Sequence, residues 1–361
     1  AGIKPKDKIA LVGRNTPRLC VVYIATMTYG AVPFPLLHEF KSANIHHLVY
    51  HSEAKILFVD EVIWGGLSES EMPDVQAIIQ VNTFKILYAA DEKIYDAKVH
   101  LNELFGRKYP EAFEPEMLNY YEDSADELAI INYTSGTTSA PKGVMLTHYN
   151  LCSQLEMIDK LFMVYETDIF LSVLPLAHTY ECTIGLILAF YHGSHVVYLD
   201  KAPTVSTLLP ALKEVRPTIM LTVPLIIEKI YRGAVLKKFT SNAFMRTLYG
   251  VGFIRRFLHR MAGKTLTKTF GGRVRFFGIG GAKLDSTVEQ FLLEAKFIYD
   301  IGYGLTETAP LLAGAVDGML RLGSTGPLLQ GVQGRIENPN AEGVGELVVK
   351  SPSQMIGYYK N

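Results

Sequence analysis

Short β-branched apolar runs alternate with amphipathic stretches along most of this chain, and that alternation constrains its fold more than any other feature. Lys8 to Val12 reads as a strand. Thr16 to Tyr29 reads as a helix, with Asn15 as its N-terminal cap. Ala31 to Leu36 and Ile56 to Val59 read as strands around a helix near Ser42 to Ser52. The order repeats further on. Ser194 to Leu199 and Thr218 to Val223 read as strands around the helix Val205 to Val215, and Pro217 and Pro224 bracket the second strand. The strand Arg273 to Gly278 precedes the helix Ser286 to Ala295. Strands and helices in this alternation predict an α/β fold with parallel sheets covered on both faces. With 361 residues, the chain can bury a large core and divide into more than one subdomain. After Glu307 glycines become dense, and a β-rich subdomain is expected to start near residue 320. Residues 60–126 are the least readable.

Composition excludes several classes. An apolar content of 48% and a charged content of 20% describe an ordinary globular chain. A formal net charge of −1 gives no reason to expect nucleic acid as a partner. Cys20, Cys152 and Cys182 are sparse, odd in number and far apart, which fits packed thiols in a reducing compartment. The longest uncharged run, Leu19 to Leu37, holds Gly30, Pro33 and Pro35 and reads as helix, turn and strand rather than as a membrane span. No N-terminal stretch has the order of a signal peptide, so the expected location is cytoplasmic. Both ends look cut from something longer.

One segment carries chemistry. The strand-like run Leu128 to Tyr133 feeds into Thr134, Ser135, Gly136, Thr137, Thr138, Ser139, Ala140, Pro141, Lys142 and Gly143. Such a loop offers open backbone N–H groups and hydroxyl donors, which phosphate oxygens need. Lys142 adds a point charge for a leaving pyrophosphate. The P-loop pattern G-x-x-x-x-G-K-[ST] fails here, because Pro141 stands at its second glycine and Gly143 at its Ser or Thr.

The string YTSGTTSAPKG closely resembles the phosphate loop of adenylate-forming enzymes, the family of acyl-CoA synthetases, luciferases and peptide-synthetase adenylation domains. It departs from the usual pattern at Ser139, where relatives have Gly. Further segments agree in the family's order: Leu174 to His178, Gly280 to Leu284, Tyr303 to Thr308, Gly323 to Pro327, and Gly345 to Leu347. The resemblance implies two stacked, mostly parallel sheets with flanking helices and a smaller β-rich subdomain. It implies an α/β body over residues 1–319, and a second part from 320 that stops before the family's ribose-binding Asp and C-terminal lid with its catalytic Lys. A piece so cut should turn over weakly or not at all.

The resemblance also assigns roles. Thr134, Ser135, Gly136, Thr137, Thr138 and Lys142 would hold the β- and γ-phosphates of ATP, and Thr306 the α-phosphate. Glu307 would help hold Mg²⁺, with Thr134 close by, since a carboxylate beside a triphosphate needs an intervening cation. Gly281 and Ala282 would let adenine approach the backbone. Gly302 and Tyr303 would flank the ring, and at Ile301 any bond would come from the backbone. His178 would line the acyl site without acting as a general base, and Gly280 would form part of its mouth. The chemistry needs no protein nucleophile: a carboxylate attacks the α-phosphorus, pyrophosphate leaves, and a thiol such as coenzyme A attacks the acyl-adenylate.

VRPTIMLTVPLIIEKIYRGAV, the helical insert to Thr269 and LPLAHTYE resemble the long-chain fatty-acid–CoA ligase branch. An adenylating enzyme for another acid, one delivering to a carrier protein, and a non-catalytic acyl-binding protein remain alternatives. The insert carries Arg246, Arg255, Arg256, Arg260, Lys264 and Lys268 among Phe, Leu and Met. That pattern fits either a solvated amphipathic face or peripheral contact with an anionic membrane.

Overall fold

The computed structural model describes residues 2–134, 141–199 and 201–361. The chain divides into two compact units. The first comprises residues 1–149, 175–178 and 355–361, and the second residues 150–174 and 179–354.

The first unit is built on a five-stranded sheet. Its order is Val32–Leu36, Lys8–Val12, Ile56–Val59, Ala77–Gln80 and Ile86–Ala89. The first four run parallel and the last antiparallel. Lys8–Val12 is central, so both its faces are covered, and Ala10 and Val12 are fully buried. That is why the strand reads as an unbroken apolar run rather than an alternating one. The helix Pro17–Thr28 is capped by Thr16, whose Oγ1 accepts the Leu19 N–H at 3.1 Å. Asn15, expected as the cap, instead accepts the Leu176 N–H at 2.9 Å. The backbone explains the exchange: Thr16 is the extended residue directly before the proline that opens the helix. Residues 60–126 supply the strands Ala77–Gln80 and Ile86–Ala89, the second of them at the sheet's edge, and the short helices Glu92–Val99 and Leu101–Lys108. A second, antiparallel sheet joins Leu128–Tyr133, Gly143–Thr147 and Gly357–Tyr358.

The second unit holds a six-stranded sheet. Its order is Leu311–Ala315, Asp300–Gly304, Phe276–Ile279, Ile219–Thr222, Ile169–Ser172 and His195–Tyr198. All neighbours are parallel except Leu311–Ala315, which returns antiparallel along Asp300–Gly304. The helix Ser286–Ala295 starts where Asp285 accepts the Thr287 and Val288 N–H groups at 2.8 and 3.2 Å. Phe277, Phe291 and Leu292 lie fully buried in the core. The strand expected from Arg273 begins only at Phe276. Before it, Arg275 is taken up by an ion pair with Asp168, and its guanidinium donates to the Met163 carbonyl at 2.7 Å. Of residues 320–361, the antiparallel pair Gln333–Glu337 and Glu346–Lys350 belongs to the second unit, and Gly357–Tyr358 to the first. All three cysteines are free thiols, Cys152 exposed and the other two buried.

Candidate functional site

In the first unit, the strands Leu128–Tyr133 and Gly143–Thr147 form a hairpin whose neck is closed by Thr134 and Lys142. The Thr134 N–H donates to the Lys142 carbonyl at 3.0 Å, and the Lys142 N–H donates to Thr134 Oγ1 at 3.3 Å. Both proposed phosphate-binding residues are thus held at the root of the loop by backbone bonds. Ser135, Gly136, Thr137, Thr138 and Ser139 lie outside the described residues. Lys142 Nζ sits 5.0 Å from the centre of the Tyr358 ring. The buried Tyr133 hydroxyl meets His51 Nδ1 at 2.9 Å, and burial raises the pKa of this phenol.

His178 ends a segment pinned to the first unit. The Asn132 amide donates to the Ala177 carbonyl at 3.0 Å, and the His178 N–H donates to Pro175 at 3.0 Å. Its side chain is exposed. Desolvation lowers the imidazole pKa, with Glu39 opposing, so the ring is neutral at pH 7.

In the second unit, Gly281, Ala282, Ile301, Gly302 and Tyr303 line one cavity of about 470 Å³. The register explains the convergence. Ile279 pairs with Ile301 across adjacent parallel strands, so the turn after Ile279 and the end of the next strand open on the same side. Parallel sheets bind ligands at these carboxyl ends. Gly281 has φ +82°, a conformation side chains resist, and a Cβ there would lie 3.6 Å from Val223. A Cβ on Gly302 would meet Leu311 at 2.9 Å. Thr306 and Glu307 do not line the cavity. They stand on the tight turn Thr306–Thr308 directly after Leu305, which does. The Leu305 N–H donates to the Pro310 carbonyl at 2.9 Å, and the Thr308 hydroxyl donates to the same oxygen at 2.9 Å. Gly280 lies under Tyr180: a Cβ on it would be 3.4 Å from that ring.

Sequence reasoning missed three features of this unit. Glu289 lines the cavity although it is buried. One of its oxygens accepts the Gly323 N–H at 2.9 Å, and Oε1 has no partner among the described residues. In sequence it looks like a first-turn helix carboxylate. Gly323, Ser324 and Thr325 were legible as a motif but not as cavity wall. Tyr180 and Glu181 open a π-helical stretch, Tyr180–Leu188, and Glu181 is fully buried against Ser172, which donates its hydroxyl. Burial pushes the Glu181 carboxyl up to about 8. No cluster of three or more His, Cys, Asp or Glu suited to a metal occurs among the described residues.

The fold is α/β, with this cavity at the carboxyl ends of a mostly parallel sheet. The profile of the family described as AMP-binding enzyme matches residues 1–359, and the chain belongs to that family. It is 28% identical over 397 residues to the peroxisomal long chain acyl-CoA synthetase 6 of Arabidopsis thaliana, covering 100% of this chain and 54% of the relative. It is 27% identical over 408 residues to long chain acyl-CoA synthetase 1 of the same plant, covering 100% of this chain and 59% of the relative. The chain therefore spans little more than half the length of these relatives. In fold it is similar to the ATP-bound MatB of Rhodopseudomonas palustris, with a TM-score of 0.74 and 22% identity, covering 99% of this chain and 63% of that one.

Proposed function

We propose that this chain is the nucleotide- and acyl-binding body of an ATP-dependent acid–thiol ligase that activates long-chain fatty acids for transfer to coenzyme A. The observation that carries the reading is the cavity at the sheet's carboxyl edge, where two glycines and an alanine leave backbone open beside Tyr303. A flat heteroaromatic ring fits such a wall, and Tyr303 offers it a stacking face. Relatives named as long-chain acyl-CoA synthetases support the acid and the thiol.

In this reading a carboxylate oxygen of the fatty acid attacks the α-phosphorus of ATP and the bond to pyrophosphate breaks. The thiol sulfur of coenzyme A then attacks the acyl carbon, and AMP leaves. Lys142 offsets charge on the departing pyrophosphate, and Thr306 donates to the α-phosphate. Neutral His178 lines the acyl site and takes no proton. Mg²⁺, when bound, neutralises phosphate charge. Glu307 would offer it a carboxylate, and the nucleotide's own phosphates would supply further oxygen ligands. The second unit also holds an apolar cavity of about 730 Å³, lined by Ile230, Val235, Phe239, Leu258 and Leu266 among others, with room for an alkyl chain. It lies along the helices that follow Pro224.

The test is thioester formation by the intact protein from ATP, Mg²⁺ and a panel of fatty, aromatic and dicarboxylic acids, with coenzyme A or acyl-carrier protein as acceptor. Acyl-CoA from C14 to C18 fatty acids is expected. Product only from an aromatic or dicarboxylic acid would reassign the substrate. Product only on carrier protein would reassign the acceptor, an outcome for which a chloroplastic long-chain-fatty-acid–[acyl-carrier-protein] ligase, 27% identical to this chain, is a precedent.

A further inference from the structure

Residues 229–284 contain no aspartate or glutamate, although the whole chain has 35 basic and 36 acidic residues. Most of this stretch is helical, and its longest helix is Gly252–Thr269. His259, Gly263 and Leu266 are that helix's buried residues. At 3.6 residues per turn, Phe253, Phe257, Met261, Arg260, Lys264 and Lys268 fall together on the opposite face. Phe253 is 70% exposed, Phe257 62% and Met261 53%, and the three cations are exposed with them.

A helix that meets only water turns its large apolar side chains inward. This one also presents three outward, spaced four residues apart and interleaved with cations. Elsewhere in the stretch charge is used internally: Arg255 pairs with Glu294 at 3.2 Å and Arg232 with Asp285 at 3.5 Å. Arg260, Lys264 and Lys268 have no ion pair among the described residues. The outer face is therefore apolar and unneutralised at once.

We infer that this face docks on an anionic lipid bilayer. Phe253 and Phe257 enter the boundary between headgroups and acyl chains, with Met261, which also borders the cavity of about 730 Å³, beside them, while Arg260, Lys264 and Lys268 meet lipid phosphates. Nucleic acid would satisfy the cations, but a formal net charge of −1 gives the chain no wider basic surface for it. Among the described residues no helix is long and apolar enough to cross a membrane, and the docking needs none. The inference rests on this face alone and does not depend on the ligase reading.

Co-sedimentation of the chain with phosphatidylcholine vesicles, with and without phosphatidylglycerol, tests it over a range of NaCl. Binding to the anionic vesicles is expected, falling as salt rises. Phe253→Ser with Phe257→Ser should weaken it by about tenfold, and Lys264→Gln with Lys268→Gln should weaken it and flatten its salt dependence. The exposed positions should leave the thermal midpoint unchanged, and Phe257→Gln alone serves if the double serine variant shifts it. Absence of binding to anionic vesicles would overturn the proposal. So would equal binding to neutral vesicles, or wild-type binding by the phenylalanine variants. Binding to RNA at least as tight as to vesicles, unchanged by the phenylalanine variants but weakened by Lys264→Gln with Lys268→Gln, would overturn the lipid proposal and mark the face as a nucleic-acid surface.

Discussion

Gly281 and Glu181 show how single residues set the conditions for a site. Gly281 stands at φ +82°, where any side chain is strained, and its missing Cβ leaves the cavity wall flat. Gly281→Val should cost about 1–3 kcal/mol of stability. It should also abolish AMP binding at temperatures where the variant is still folded. Calorimetric titration with AMP checks this, and retained affinity would remove Gly281 from the nucleotide site. Glu181 is a stability device of the opposite kind. Its carboxyl is raised from 4.5 to about 8 by burial, so the folded chain keeps a proton that the unfolded chain has already lost above pH 4.5. Its contribution is complete below pH 4.5 and is lost as pH rises through 8. Glu181→Gln, which keeps the shape and cannot ionise, should flatten the fall in unfolding free energy between pH 5 and 8. Urea titrations at the two pH values read that slope, and identical slopes would contradict a protonated Glu181. Glu307→Gln removes charge but not shape. It should raise the MgCl₂ concentration needed for half-maximal ATP binding, and an unchanged Mg²⁺ dependence would take Glu307 out of the metal's surroundings.

At the scale of elements, the helix Pro17–Thr28 separates what a sequence announces from what it conceals. The Thr-Pro step marks the helix start by local geometry alone, and Thr16 is the cap. Asn15 has the same local credentials, but its partner, the Leu176 N–H, lies 161 positions along the chain. Thr16→Ala should cost about 1 kcal/mol. Asn15→Ala should cost about 1–3 kcal/mol, because it strands a backbone donor in the segment that carries His178. Urea unfolding of the two variants decides, and a larger loss at Thr16 than at Asn15 would contradict the weight given to the Leu176 contact. The same division runs through the fold. Central strands such as Lys8–Val12 and Ile219–Thr222 were legible because burial on both faces writes an unbroken apolar run. The strands Ala77–Gln80 and Ile86–Ala89 were not, because they are short and the second, at the sheet's edge, is only half buried. At the site, Gly281, Ala282 and Tyr303 were legible through motifs fixed by backbone geometry. Glu289 was hidden, because burial of a first-turn carboxylate depends on Gly323, far along the chain.

The second unit holds a cavity walled by open backbone and, separately lined, apolar space along the helices after Pro224. The proposed function requires that one ligand, an acyl group joined to adenosine monophosphate, use both. Non-hydrolysable acyl-sulfamoyl adenosines with chains from C2 to C18 mimic that ligand and require no turnover. Their dissociation constants for this chain, measured by calorimetry, should fall with each added methylene by up to about fourfold, the value of a fully buried CH₂, and level off once the apolar space is filled. Affinity that is flat or falling from C8 upward, with nucleotide binding intact, would contradict the long-chain account.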